Sequence, residues 1–263
     1  MNDTRADGAA PWWHDLYDDL LADVLLVRGD ADEVDATLDF LARSLELRPG
    51  ARVFDQCCGI GSLALPLAAR GYEVVGVDLI PGYIERARAC ADGQGLSATF
   101  VAADAFTFVP DAPCDGAFNW WTGFGYADAD ADNLEMLVRV REALRPGGRF
   151  VLDTMNAPGL LRDFQPHVVR RRQTPRGEVI LVRESALDLR AGAITKTWTY
   201  FLPDGRRVSH PSRVRLYMPH ELVRLFSAAG FVEVELLGDV DGRPLALSSP
   251  RCIVRARAPE ESR

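Results

Sequence analysis

Residues 53–62 read V-F-D-Q-C-C-G-I-G-S, an apolar run ending in an acid, then two adjacent cysteines and a G-x-G pair. Two readings compete. Cys57 and Cys58 could form a reactive or metal-binding pair, or the stretch could be a glycine-rich loop, between a strand and a helix, that grips a nucleotide-like ligand. The chain has five cysteines (Cys57, Cys58, Cys90, Cys114 and Cys252), an odd number with no C-x-x-C among them. Adjacent cysteines bridge each other poorly, because a disulfide needs facing Cβ atoms, so reduced thiols are expected. No metal site is predicted: the four histidines are scattered, no H-x-x-x-H or H-E-x-x-H occurs, and no second cysteine pair completes a ligand set. Ser62 lacks the G-x-S-x-G context of a nucleophile elbow. The loop reading remains.

Working outward, A-R-V-F-D before the glycines reads as a short buried strand, and Ile60 to Arg70 as a helix. E-V-V-G-V-D, A-T-F-V-A-A-D, D-G-A-F-N-W-W and G-R-F-V-L-D are further strands. Between them lie the helix P-G-Y-I-E-R-A-R-A-C-A, with proline in its first turn, and N-L-E-M-L-V-R-V-R-E-A-L, closed by R-P-G-G. Strand and helix alternating at this spacing make βαβ units, hence a parallel sheet with helices on both faces. Right-handed crossovers bring the strand carboxyl ends to one edge, where ligands bind. That edge would collect Asp55, Asp78, Asp104, Asn119 and Asp153.

Upstream, a loose tail of ten residues precedes 11–27, which place Trp13, Tyr17, Leu20 or Leu21, and Val24 on one helical face. A second amphipathic helix runs through V-D-A-T-L-D-F-L-A-R-S-L-E-L and stops at Pro49-Gly50. From about 165 to 217 the pattern turns to strands, joined by turns such as Arg190-Ala191-Gly192 and Pro203-Asp204-Gly205. This predicts an antiparallel patch inserted into the α/β fold. A helix over 220–229 and the strands F-V-E-V-E-L-L and C-I-V-R-A-R-A would finish the sheet.

The formal net charge of −8 argues against broad binding of a nucleic-acid backbone, which needs a basic surface. The one dense basic run, Arg170-Arg171-Arg172, reads as a solvated edge or as an anion clamp. The N-terminus lacks the apolar core of a signal peptide, and no apolar run reaches the ~18–20 residues of a membrane span. A cytoplasmic protein without a membrane or nucleic-acid partner, monomeric or homodimeric, is expected.

Gly59 and Gly61 allow a sharp turn and a close approach of ligand to backbone. Asp78 follows Gly61 by 17 residues, at the end of the next strand, where a carboxylate can accept both hydroxyls of a ribose. G-I-G-S-L-A also satisfies the G-x-G-x-x-A of a dinucleotide site, so an NAD-binding oxidoreductase is a rival. Asp55, four positions before the first glycine, weighs against it. A like-charge pair near a protein surface costs roughly 4 kcal/mol at 4 Å, and a pyrophosphate would face that carboxylate. A ligand carrying an ammonium and a sulfonium would be attracted.

D-Q-C-C-G-I-G, V-V-G-V-D, V-A-A-D-A, F-N-W-W-T-G-F-G-Y and L-R-P-G-G-R-F-V-L-D occur in this order, and together the chain resembles the class I S-adenosylmethionine-dependent methyltransferases, of a bacterial small-molecule branch. The likeness covers about 40–156 firmly and continues through R-L-Y-M-P-H-E-L and G-D-V-D-G-R-P. It implies a Rossmann-like, seven-stranded, mostly parallel sheet with a final antiparallel hairpin and an antiparallel β insertion after the fifth strand. The organisation expected is an N-terminal helical lid (1–47), a cofactor-binding core (48–157), a β-rich insertion forming part of the substrate cleft (158–217) and a C-terminal helix and strands (218–263). It also implies roles. Asp55 would orient the methionine amino group, and backbone at Cys57, Gly59 and Gly61 would wrap the methionine part and ribose. Asp78 would take the ribose hydroxyls, with Leu79 or Ile80 against adenine. Asp104 and the Ala105 N–H would hold the adenine edge, while Asn119 and Trp120 lie beside the sulfonium and Tyr17 closes over the cofactor. S-adenosylhomocysteine would be the product.

The acceptor is expected to be a small molecule methylated on nitrogen or oxygen. N-W-W-T stands where adenine- or cytosine-N4-type nucleic-acid enzymes carry N-P-P-Y. Trp121, Phe124 and Tyr126 form an aromatic stretch suited to a flat or cationic acceptor, or to core formation. Trp13, Arg183, Tyr200, Arg215 and Tyr217 are candidate acceptor contacts, and Tyr126 and His210 candidate catalytic groups. Alternation along a strand puts Trp198 and Tyr200 on one side, and an arginine there would suit a carboxylate. Two other outcomes stay open: transfer of the aminocarboxypropyl group or cyclisation of the same cofactor, and a binding protein without turnover.

Overall fold

The computed structural model describes residues 11–28 and 30–260; the tail expected over 1–10 lies outside them. β1 (Arg52–Gln56), β2 (Glu73–Asp78), β3 (Ala98–Ala102), β4 (Cys114–Asn119) and β5 (Leu144–Thr154) come first. β6 (His167–Thr174), β7 (Gly177–Asp188), β8 (Ala193–Phe201) and β9 (Arg207–Arg215) follow, then β10 (Val232–Leu237) and β11 (Cys252–Arg257). One seven-stranded sheet has the order β10-β11-β5-β4-β1-β2-β3, and β6 to β9 form a separate four-stranded meander. β1 pairs parallel with β2 and β4, β2 with β3, and β4 with β5. β11 is antiparallel to both β5 and β10. This is the class I methyltransferase fold, with its closing antiparallel hairpin and its β insertion after β5.

The helices are α1 (Trp12–Leu16), α2 (Asp19–Leu21), α3 (Ala31–Ser44), α4 (Ala64–Ala69), α5 (Pro81–Gln94), α6 (Asp130–Ala143), α7 (Ala157–Arg162) and α8 (Pro219–Ala228). Strand alternation divides the core in two. Phe54, Ala117, Phe150 and Leu152 join α6 and α8 on one face, with Phe150 stacked 5.5 Å from Phe226 and 5.6 Å from Phe231. Val53, Phe118 and Val151 face α3, α4 and α5 on the other. Burial on both faces explains why β1 and β4 read as continuous apolar runs.

Two local features depart from the sequence reading, and a third, the basic run, follows it as a solvated edge. The helix expected over 11–27 is broken: Tyr17 leaves helical geometry at φ −86°, ψ 77°, and the extended Asp18 caps α2 by accepting from the Leu21 N–H at 2.8 Å. A π-helical turn (Ala22–Leu26) completes the segment. The helix expected from Ile60 begins at Ala64, because Gly59 and Gly61 both take positive φ (56° and 80°) and keep the loop open. The basic run lies on the edge strand β6, and Arg170, Arg171 and Arg172 are exposed there.

Candidate functional site

The carboxyl edge of the parallel sheet holds a pocket of about 130 Å³. Its floor is the loop after β1. Cys57 takes φ 64°, a left-handed conformation that disfavours a Cβ, and the chain turns again at Gly59. The Cys58 N–H donates to the Val77 carbonyl at 2.9 Å and its side chain is buried against Gly76 of β2. A Cβ at Gly76 would sit 2.7 Å from Phe100 and 2.9 Å from Cys58 Sγ, so this strand must carry glycine for the loop to lie down. All five cysteines are free thiols, and burial pushes those of Cys57 and Cys58 well above the ordinary range, keeping them neutral.

Asp78 ends β2 and folds back over the loop. Its carboxylate accepts from the Gly59 N–H at 2.9 Å and the Ile80 N–H at 3.0 Å. Burial raises its pKa, and these backbone donors oppose the rise. Asp55, 3% exposed, is raised further, first by burial and then by the Asp78 charge. Asp78 lines the pocket with Asp55 buried next to it, and acids raised in this way are ionised by a neighbouring cation and not by a pyrophosphate. Leu79, Ile80, Tyr83, Asp104, Ala105 and Phe106 form one side of the pocket. Asp104 Oδ1 is occupied by the Phe106 N–H at 2.9 Å, which turns the chain around the cleft.

A second, outer cavity of about 340 Å³ lies against the four-stranded sheet. The two share Tyr17, Leu26, Trp121 and Tyr126 as a common wall. Tyr17 and Tyr126 stack with ring centroids 6.1 Å apart, their hydroxyls in close hydrogen-bonded contact, and burial raises both phenol pKa values. Trp121, at φ 59°, is pinned by its own N–H donating to Asp153 Oδ2 at 2.9 Å. Arg251 clamps the same carboxylate with both arms. β7 and β8 contribute Leu181, Arg183, Lys196 and Trp198 to the opposite side.

The sequence-derived residues divide accordingly. Cys57, Gly59, Asp78, Leu79, Ile80, Asp104, Ala105, Trp120 and Tyr17 line the sheet-edge pocket, joined by Trp13, an acceptor candidate by sequence that the structure puts on the cofactor side. Asp55, Gly61 and Asn119 lie behind it. Asn119 is fully buried, its amide donating to Gln56 Oε1 at 3.2 Å while its Oδ1 has no partner. Trp121, Tyr126 and Arg183 line the outer cavity. Phe124 and Tyr217 are buried against each other at 5.5 Å in the core, with the Tyr217 hydroxyl donating to Asp130 at 2.8 Å. Arg215 is engaged by Glu221 at 3.1 Å and by the Gly192 carbonyl at 2.9 Å. Tyr200 is buried under the cavity with Leu20, Val24 and Leu181. His210 lines neither pocket and stands 3.9 Å from Asp18, because α1 packs against β9. Arg28, Lys196 and Arg251 escaped the sequence reading. Of these only Lys196 carries a signal, being two residues from Trp198 on the same face of β8.

Residues 53–148 match the sequence model of a methyltransferase domain. That domain sits on the sheet whose order and closing hairpin are described above. Residues 53–148 are thus similar to a methyltransferase domain and lie on the class I methyltransferase fold. A curated relative, the S-adenosyl-L-methionine-dependent Diels-Alderase iccD of Talaromyces variabilis, is 36% identical over 113 residues, 41% of this chain and 37% of that one. The chain spans less than two thirds of the length of the curated relatives it matches. Among solved structures, the CcbJ methyltransferase from Streptomyces caelestis superposes with a TM-score of 0.77 at 22% identity, covering 92% of this chain and 98% of that one. The sugar N-methyltransferase KedS8 from Streptoalloteichus sp. gives 0.70 at 21% identity, covering 99% and 98%. At these identities the two structures show the fold alone.

S-adenosylmethionine is the cofactor of this domain family, and the residues present fit it. Asp78, with Asp55 buried next to it, suits a ligand carrying an ammonium and a sulfonium, and Gly123 keeps the pocket wall open where a Cβ would meet Asn119 Oδ1 at 2.6 Å. Among the described residues no cluster of three His, Cys, Asp or Glu side chains could hold a metal. No helix among them is long and apolar enough to cross a membrane.

Proposed function

We propose that the chain is an S-adenosylmethionine-dependent methyltransferase acting on nitrogen or oxygen of a small molecule. One observation carries this reading: the methyltransferase domain's pocket meets a second, separately walled cavity across Tyr17, Leu26, Trp121 and Tyr126. The bound cofactor would supply a methyl carbon activated by the positive sulfur. The chain's task is then to hold an acceptor in line and away from water.

Asp55 and Asp78 would favour the cationic amino-acid end, directly or through water, with Asp78 also taking the ribose hydroxyls. Cys57, Gly59 and Gly61 would offer backbone, and Leu79, Ile80, Asp104 and Ala105 the adenine side. Tyr126 would touch an accepting atom and orient its proton, since it belongs to both walls. With its pKa raised it would act as a neutral hydroxyl, not as a phenolate. The segment 11–28 would serve as the lid, with Trp12 and Leu16 facing the outer cavity and Trp13 the sheet-edge pocket. The name of the sugar N-methyltransferase KedS8, which shares the fold, is compatible with an amine acceptor.

A second reading keeps the cofactor and changes the reaction, favoured by a relative named a Diels-Alderase. Incubating the protein with S-adenosylmethionine and small-molecule extract, with mass spectrometry of both products, separates them. S-adenosylhomocysteine together with a methylated compound supports methyl transfer. Methylthioadenosine marks transfer of the other arm, and a converted acceptor with cofactor intact marks the second reading.

A further inference from the structure

We infer that the acceptor is an anion, a small molecule whose carboxylate or phosphate is held by Arg183, Lys196 and Arg28 in the outer cavity; this rests on the reading of that cavity as the acceptor site. The cavity wall contains Arg28, Arg170, Arg183, Lys196 and Arg251, and no aspartate or glutamate. In a chain of net charge −8 this is a local reversal of sign. Arg251 is neutralised by Asp153, and Arg170 is exposed at the rim, where water and salt screen it.

The other three have no carboxylate partner among the described residues. Arg28 lies 3.7 Å above the Trp121 ring, and its buried Nε has no acceptor. Arg183 stands 5.5 Å from the Trp198 ring, its Nε likewise buried and unpaired. Lys196 Nζ lies 5.7 Å from the same ring, and the hydrogen bond it makes is a weak one to Met155 Sδ at 3.9 Å. Arg183 and Trp198 are direct cross-strand partners, and Lys196 sits two residues along β8 on the same face, so the pleat fixes the group. Burial, and then the Arg183 charge, push the Lys196 ammonium down to about 8.

Packing alone does not account for this. Two tryptophan rings serve three cations, and sharing Trp198 forces two of them together at a cost that a neutral side chain would avoid. A carboxylate or phosphate removes the repulsion and satisfies the free Nε donors in one step, and guanidinium forks match either oxyanion. The flat faces of Trp121 and Trp198 would flank the rest of the molecule.

The test uses the full chain saturated with S-adenosylhomocysteine and two fluorescent probes of similar shape, anionic 8-anilinonaphthalene-1-sulfonate and uncharged N-phenyl-1-naphthylamine. The anionic probe is expected to bind one site about tenfold tighter. Arg183→Gln and Lys196→Met should each weaken it about tenfold, one charged hydrogen bond's worth, and leave the uncharged probe unchanged. Competing benzoate or phenyl phosphate should displace it where benzamide does not, and the better of the two competitors assigns carboxylate or phosphate. Equal affinity for the two probes, or variants that bind the anionic probe as the unmodified protein does, overturns the inference. Calorimetry with S-adenosylhomocysteine shows that each variant is folded. It also separates the two levels: cofactor binding without anion preference sinks only the anionic acceptor, whereas absent cofactor binding in the unmodified protein sinks the methyltransferase reading beneath it.

Discussion

The sheet-edge pocket and the outer cavity share a wall but are built on opposite plans. The pocket is made from backbone: a left-handed Cys57, two glycines and strand ends, with buried acids beneath. The cavity is made from side chains on an antiparallel sheet and a broken helix, and its charges are positive. The difference teaches where each kind of specificity resides. On the proposed reading, a cofactor common to many enzymes is met by loop geometry that many sequences can spell, and an acceptor would be met by side chains that another chain need not share.

Substitutions should respect that division. Asp78→Asn weakens the acceptance of two backbone N–H groups and removes a charge, so affinity for S-adenosylhomocysteine should fall about 100-fold in calorimetry. The anionic probe should still bind the cavity, and a parallel loss there would break the separation. Gly76→Ala drives a methyl into Phe100 and Cys58 Sγ; overfilling of this kind costs ~1–3 kcal/mol, read as a lowered midpoint in urea. The effect should be felt by the cofactor loop through Cys58 and hardly at all by β7 and β8.

The cavity should show its character in pH. Lys196 is depressed to about 8, so it is charged below that value and loses its proton as pH rises through it. Affinity for the anionic probe should therefore be full below about 8 and fall above it, while Arg183 stays charged and keeps some binding. In Lys196→Met the affinity should be lower and flat across this window, and an unchanged pH profile would remove Lys196 from the site. Smallest is Cys57→Gly, which relieves a left-handed residue and should stabilise by ~1 kcal/mol, with Cys57→Ala close to neutral in cofactor affinity. Loss of binding in Cys57→Ala would mean that the sulfur matters after all.

The same contrast governs what could be read in the sequence. β1, β2 and β4 announce themselves because burial on both faces writes apolar runs, and the polar residue closing each run marks the ligand edge. Asp78 and Asp104 were accessible in this way, and Ala105 through the resemblance alone. Phe124, Arg215 and Tyr217 are just as conspicuous in sequence, yet Tyr217 is held by Asp130 and Asn133, Arg215 by Glu221, and Phe124 packs on Tyr217, all away from either pocket. The break at Tyr17-Asp18 was hidden because the helical periodicity of 11–27 survives it, while the cap that causes it needs only one aspartate carboxylate. Arg28 and Arg251 reach the cavity from segments flanking other elements, and nothing in their local sequence says so.

The most direct test of the whole account is calorimetric titration of S-adenosylhomocysteine into the unmodified chain and into Asp78→Asn. One saturable site is expected, weakened about 100-fold by the substitution. Tight binding of NADH with no heat from S-adenosylhomocysteine would contradict it.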